Sequence, residues 1–153
     1  MDNNDILRRL RYTFDLNDDK MMALFANAKV EITRAQISDW LKKEEDPAFQ
    51  KLYDKDLAPF LNGFIIDRRG KKEGEDPKNE KSLNNNQIFR KLKIALNLQD
   101  EGILEILGLT GFRFGKHELS ALFRNPTQSQ YRDCKDQVLR NFLLGLQLKY
   151  RGE

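Results

Sequence analysis

Few residues in this sequence have the chemistry of an active site. His117 is the only histidine and Cys134 the only cysteine, so a Ser-His-Asp, Cys-His or His-rich metal site lacks its parts. The carboxylate pairs Asp18-Asp19 and Glu44-Glu45 could share acid and base roles, but they fall at expected helix starts, where capping and the helix dipole explain them. The glycines follow no phosphate-loop spacing. The reading is therefore of a protein that is not an enzyme, with no catalytic, cofactor-binding or metal-binding residues. The remaining chemistry is basic: Arg8-Arg9-Arg11 and Arg90-Lys91-Lys93 could serve phosphates, or form a solvated face.

These residues ride on a duplicated frame. Slid along itself by 82 positions, the chain registers without a gap. Asn3, Asn4, Ile6, Arg8, Leu10 and Leu16 meet Asn85, Asn86, Ile88, Arg90, Leu92 and Leu98. Asp18, Ser38, Asp54, Leu57, Phe60, Leu61 and Gly63 meet Asp100, Ser120, Asp136, Leu139, Phe142, Leu143 and Gly145. That makes 13 identities over the 64 positions from Asn3 to Ile66, and two copies are too few for a solenoid. The expected organisation is repeat one over 1–69, a charged flexible linker over 70–83 and repeat two over 84–153. Gly70 to Ser82 contains no apolar residue, so it has nothing to bury and reads as exposed and mobile. His117 is matched by Ala35, which leaves it outside the shared design, and Cys134 is matched by Leu52. Cys134 is most simply a small buried apolar residue.

Each copy is expected to hold four helices. The first begins at the paired asparagines, with Asn3 or Asn4, and Asn85 or Asn86, as caps. Ile6, Leu7, Leu10 and Phe14 then recur at helical spacing, as do Ile88, Phe89, Leu92 and Leu96. A second helix opens at Asp18 and at Asp100. A third follows the Thr33–Gln36 capping box and, in copy two, Gly115 without the box; Trp40 and Leu122 face the core of their own copies. The last helix begins near Asp54 or Asp56 and near Asp136. Its apolar arc is wide (Phe60, Leu61, Phe64 and Ile65, then Phe142, Leu143, Leu144 and Leu146), and Gly63 and Gly145 admit close approach. The two last helices are therefore expected to pack across a pseudo-two-fold in one shared core. The fold class is all-α, two tandem four-helix units, each with a helix-turn-helix-like element.

Composition sets the address. Charged residues are 33% of the chain and apolar residues 39%, which suits amphipathic helices with solvated outer faces. No apolar run approaches a membrane span, the acidic start Met1-Asp2-Asn3-Asn4-Asp5 is unlike a signal peptide, and a single cysteine fits a reducing compartment. The cytoplasm is the expected location. Net charge is +3, with residues 1–69 at −1 and residues 84–153 at +4, an asymmetry that suits an acidic partner for the second half.

The stretches NNNQIFRKLKIALNL (Asn84–Leu98), KHELSALFR (Lys116–Arg124) and RNFLLGLQL (Arg140–Leu148) carry a resemblance. With NNDILRRLRYTFDLND (Asn3–Asp18) and FLNGFIIDRRG (Phe60–Gly70), they resemble the YehS-like bacterial proteins over almost the whole length. The resemblance implies a cytoplasmic bacterial protein with a duplicated helical fold; it supplies no activity, cofactor or site residue. Two functional readings stand side by side. One is a non-enzymatic binding or interaction module, with a protein partner or a homodimer. The other is a nucleic-acid-binding, regulatory protein contacting its ligand through Arg90, Lys91, Lys93, Lys116 and Arg124. A basic face joining these residues favours the second, an exposed apolar groove the first.

Overall fold

The computed structural model describes residues 1–71 and 78–153, which form two compact units, Met1–Leu83 and Asn84–Glu153. The first holds helices α1 (Asn3–Thr13), α2 (Asp18–Asn27), α3 (Arg34–Leu41) and α4 (Asp54–Arg69). The second repeats them as α5 (Asn85–Ala95), α6 (Asp100–Gly108), α7 (Lys116–Leu122) and α8 (Asp136–Leu146). Among the described residues there is no strand; Val30–Ile32 and Phe112–Phe114, where apolar and charged residues alternate, are irregular. The fold is all-α and duplicated.

Caps fix the helix starts, and those of α1 and α5 stand one residue before the asparagines that the sequence suggests. Asp2 and Asn84, not the paired asparagines, cap α1 and α5, each accepting from the third helical backbone N–H while Asp5 or Gln87 reaches back. Asn17 caps α2. The Thr33 box forms as expected, and α7 keeps half of it: Gly115 N–H donates to Glu118 at 3.0 Å. Matched backbone angles follow α1 and α5, where Asp15 and Asn97 both turn left-handed, φ 52° and 53°. Both are short polar residues that tolerate that region.

In unit one the core gathers Leu7, Leu10, Met21, Leu24, Phe25, Ile37, Leu57 and Phe60, all buried. Trp40 is buried as expected and stacks on Phe25 with ring centroids 5.7 Å apart. In unit two Phe89 lies against Phe142 at 4.1 Å, with Ile103, Ile106, Leu107, Leu119 and Leu122 around them. Each such side chain contributes about 1.5–3 kcal/mol on burial.

The mid-helix glycines are explained within each copy. A Cβ on Gly63 would stand 1.6 Å from Leu24 O in α2, and one on Gly145 2.3 Å from Ile106 O in α6. Glycine is required because the second helix crosses there in backbone contact. The close approach was expected; the neighbour is different, and the glycine surface assigned to a meeting of the two last helices is taken up inside each unit. The copies part at their ends: α4 runs regularly to Arg69, whereas α8 passes into a π-helical turn, Gln147–Arg151. Gly152 closes that turn at φ 84°, its N–H on Gln147 O at 3.1 Å.

The end of the expected linker is fastened to unit one, although Lys78, Lys81 and Ser82 stay exposed. Asn62 of α4 donates to Asn79 Oδ1 at 3.0 Å and Glu80 Oε1 at 3.2 Å, Asn79 donates to Ala28 O at 3.1 Å, and Leu83 N–H donates to Asp54 at 3.0 Å. Residues 78–83 thus form a strap on unit one. The rest of the expected mobile stretch, residues 72–77, lies outside the described residues.

Candidate functional site

The polar residues that both copies keep build the frame. Asn4, fully buried, donates to Trp40 O and Gln50 O and accepts from Leu52 N–H, all at 2.9 Å. Asn86 does the same with Leu122 O at 3.0 Å, Arg132 O at 2.9 Å and Cys134 N–H at 2.9 Å. One amide therefore ties the end of the third helix to the returning loop, using both its donors and its acceptor. The preceding asparagines reach the last helix: Asn3 to Asp54 and Asn85 to Asp136, both at 2.7 Å. Asn85's donation holds the Asp136 carboxyl below its usual range. Arg8 donates to Lys42 O at 3.0 Å and Arg90 to Phe123 O at 2.7 Å, satisfying the carbonyl at the end of α3 and α7.

These roles bear on the residues proposed for nucleic acid. Arg90, Lys93 and Arg124 gather at the C-terminal end of α7: Arg90 caps Phe123, Lys93 Nζ lies 4.3 Å from the Phe123 ring centroid, and Arg124 follows, half-buried. Lys91, the next residue of α5 after Arg90, is half-buried. Lys116 stands at the other end of α7, about 10 Å away for a seven-residue helix, and pairs with Glu101 at 3.5 Å. That pair repeats Arg34 with Asp19 in copy one and, being exposed, stabilises little. The connection between the second and third helices spans residues 28–33 in copy one and 109–115 in copy two, longer than the three or four residues of a DNA-reading helix-turn-helix.

Cys134 is buried, and burial pushes its thiol up to about 12, which suppresses the thiolate needed for nucleophilic chemistry. His117 is exposed at the start of α7.

Where the copies differ is as informative as where they agree. At the end of α2, Asn27 donates to Gly63 O at 3.3 Å, and the strap lies over Ala28 and Asn62. The matching positions in unit two are Leu109, Thr110 and Leu144. Leu109 is 49% exposed and Leu144 half-buried. Just beyond, Phe112 and Phe114 stack on each other at 5.8 Å, both half-buried, and exposed Arg113 stands where copy one has Glu31. One frame thus carries a polar surface covered by its own chain in unit one, and an apolar surface with a basic edge in unit two. The hydrophobic spacing did not single these residues out. A position-by-position comparison of the copies does, at the sites where asparagine becomes leucine.

Two comparisons bear on identity. The family model described as "Protein of unknown function (DUF1456)" matches this chain twice, over residues 3–70 and 85–152. The chain belongs to that family. The two matched segments keep the 82-residue register and carry it on to Arg69 with Arg151 and Gly70 with Gly152. The chain is also 42% identical over 144 residues to the "Uncharacterized protein YehS" of Escherichia coli (strain K12), covering 94% of this chain and 92% of that one. No solved structure matches. Membership of the family therefore fixes kinship and duplication, and the chemistry has to be argued from the surfaces. Among the described residues no helix is long and apolar enough to cross a membrane.

Proposed function

We propose that this chain is a non-enzymatic cytoplasmic binding module, built from two copies of one frame and engaging a protein partner through the second. The observation that carries this reading is the divergence on a single face. Leu109 and Leu144 replace Asn27 and Asn62, and Leu109 stays 49% exposed. Apolar side chains gathered on a surface at a cost in solubility suit a site of association. The polar residues held in common, Asn4, Asn86, Arg8 and Arg90, are engaged by the fold, which suits a scaffold more than a catalyst.

A second reading, nucleic-acid binding through Arg90, Lys91, Lys93, Lys116 and Arg124, draws support from the cluster of Arg90, Lys93 and Arg124 at the end of α7. Against it, Arg90 is occupied by Phe123 O and Lys116 by Glu101. The test is affinity purification of the full chain from a bacterial lysate, run beside titrations with random-sequence DNA and RNA across a salt series. The module reading expects a stoichiometric protein complex and only weak nucleic-acid affinity. Affinity for either nucleic acid that falls steeply with salt, as phosphate contacts require, with no protein complex, overturns it.

A further inference from the structure

The strap of unit one indicates what unit two's equivalent surface is shaped to hold. In unit one that surface is covered by a short non-helical run of the chain, Lys78–Glu80, fastened through the Asn62 side chain and the Ala28 carbonyl. In unit two the frame around the surface is the same: the second helix crosses the last at Gly145 as it does at Gly63. The left-handed residue after that helix is Gly111 at φ 77°, matching Lys29 at φ 65°. The side-chain anchor Asn62 has become Leu144, and Asn27, next to the anchoring Ala28 carbonyl, has become Leu109. The amide fastening from the last helix is gone, and leucines stand beside the place it held.

We propose that the surface carrying Leu109 and Leu144 binds an extended peptide segment of a partner protein, one that carries a large apolar side chain and neighbouring acidic residues. This rests on the module reading and names its partner class. The extended form follows from the segment that covers the same place in unit one. The apolar anchor follows from Leu109 and Leu144. The acidic character follows from charge: Arg113 replaces Glu31 at the edge of the surface, and residues 84–153 carry +4 where residues 1–69 carry −1. That field draws acidic segments and repels basic ones.

The experiment uses the full-length chain and a random peptide library displayed on phage, with enriched peptides synthesised and titrated in solution. Three variants restore copy one's own residues: Leu109→Asn with Leu144→Asn, Arg113→Glu, and all three together. Each residue introduced already stands at the matched place in the frame, and thermal melts followed by circular dichroism verify folding. The expected result is enrichment of peptides combining a bulky apolar residue with Asp or Glu. Their binding should weaken about tenfold or more in the double leucine variant, as for loss of a central apolar anchor, and by a smaller, salt-dependent factor in Arg113→Glu. Enriched peptides that bind all variants equally, or that are basic, overturn this surface while leaving the module reading intact. No enrichment, together with salt-sensitive binding of a random oligonucleotide, overturns both.

Discussion

Replacing Asn4 by alanine tests the central claim about the frame, that one buried amide holds the returning loop. The side chain is fully buried and makes three bonds of 2.9 Å. A buried hydrogen bond contributes about 1 kcal/mol net, and a buried donor left unpaired costs about 1–3 kcal/mol. Losing the three bonds and orphaning the Leu52 N–H therefore comes to about 4–6 kcal/mol. For a domain whose total stability is about 5–15 kcal/mol, that is a large fraction. Trp40 is the only tryptophan and its carbonyl accepts from Asn4, so urea unfolding followed by tryptophan fluorescence reads unit one alone. The twin change, Asn86→Ala, is read in unit two by the labelling rate of Cys134, whose N–H donates to Asn86, and both changes should cost similar amounts. Asn4→Asp should be no milder than alanine, because a carboxylate has no donor for Trp40 O and Gln50 O. A loss below about 1 kcal/mol, in the range of ordinary surface changes, refutes the clamp.

Other outcomes follow from the same geometry. Gly63→Ala should cost about 3 kcal/mol or more, at the high end of overpacking, with Gly145→Ala milder. Gly108→Ala, where a Cβ meets nothing within 4 Å, should stabilise by about 0.5–1 kcal/mol; chemical denaturation ranks all three. Trp40→Ala should cost about 3–5 kcal/mol as a large-to-small core change, and a wild-type tryptophan freely quenched by iodide would contradict its burial. Burial holds the Cys134 thiol protonated to about 12 against an ordinary value of 9.0. Its contribution to stability is thus complete below the ordinary value and is lost as pH rises from there towards the folded value. Cys134→Val should flatten that alkaline decline in urea midpoints. Finally, each copy is small enough for its core to be marginal alone, so we propose that the two stabilise each other. Residues 1–83 and 84–153 expressed separately should melt broadly, and two sharp independent transitions would refute it.

Much of the frame was legible in the sequence because its signals are local and stated twice. Apolar spacing at Ile6, Leu7 and Leu10, the Thr33–Gln36 box and the acidic start at Asp54 each act within one helical turn. The recurrence of the apolar spacing and of the acidic start 82 residues on removes the ambiguity. What escaped was non-local. Asn3 and Asn4 have the right side chains for capping, and only the three-dimensional return of residues 40–54 shows that their partners lie 36 to 51 positions away. Gly63 announced close packing but not against which helix, since a missing side chain names no neighbour. The strap reads as solvated in sequence because Gly70 to Ser82 carries no apolar residue; its attachment is made of hydrogen bonds from amide groups, which hydropathy does not register. The leucine surface was hidden for the opposite reason, because Leu144 sits inside a stripe that otherwise faces the core.

The asparagine clamp also divides freedom from constraint along the chain. It grips positions 50 and 52 at one end of the loop and position 40 at the other, and the matching grip in unit two is on 132, 134 and 122. Between the anchors, residues 43–48 and 125–130 are exposed throughout, and the two hexapeptides, KEEDPA and NPTQSQ, share no residue in register. With its ends fixed by a side chain, the intervening segment has no packing to satisfy. It is a cassette: a place where an epitope, a labelling tag or a new recognition sequence can be written into either copy without consulting the rest of the protein.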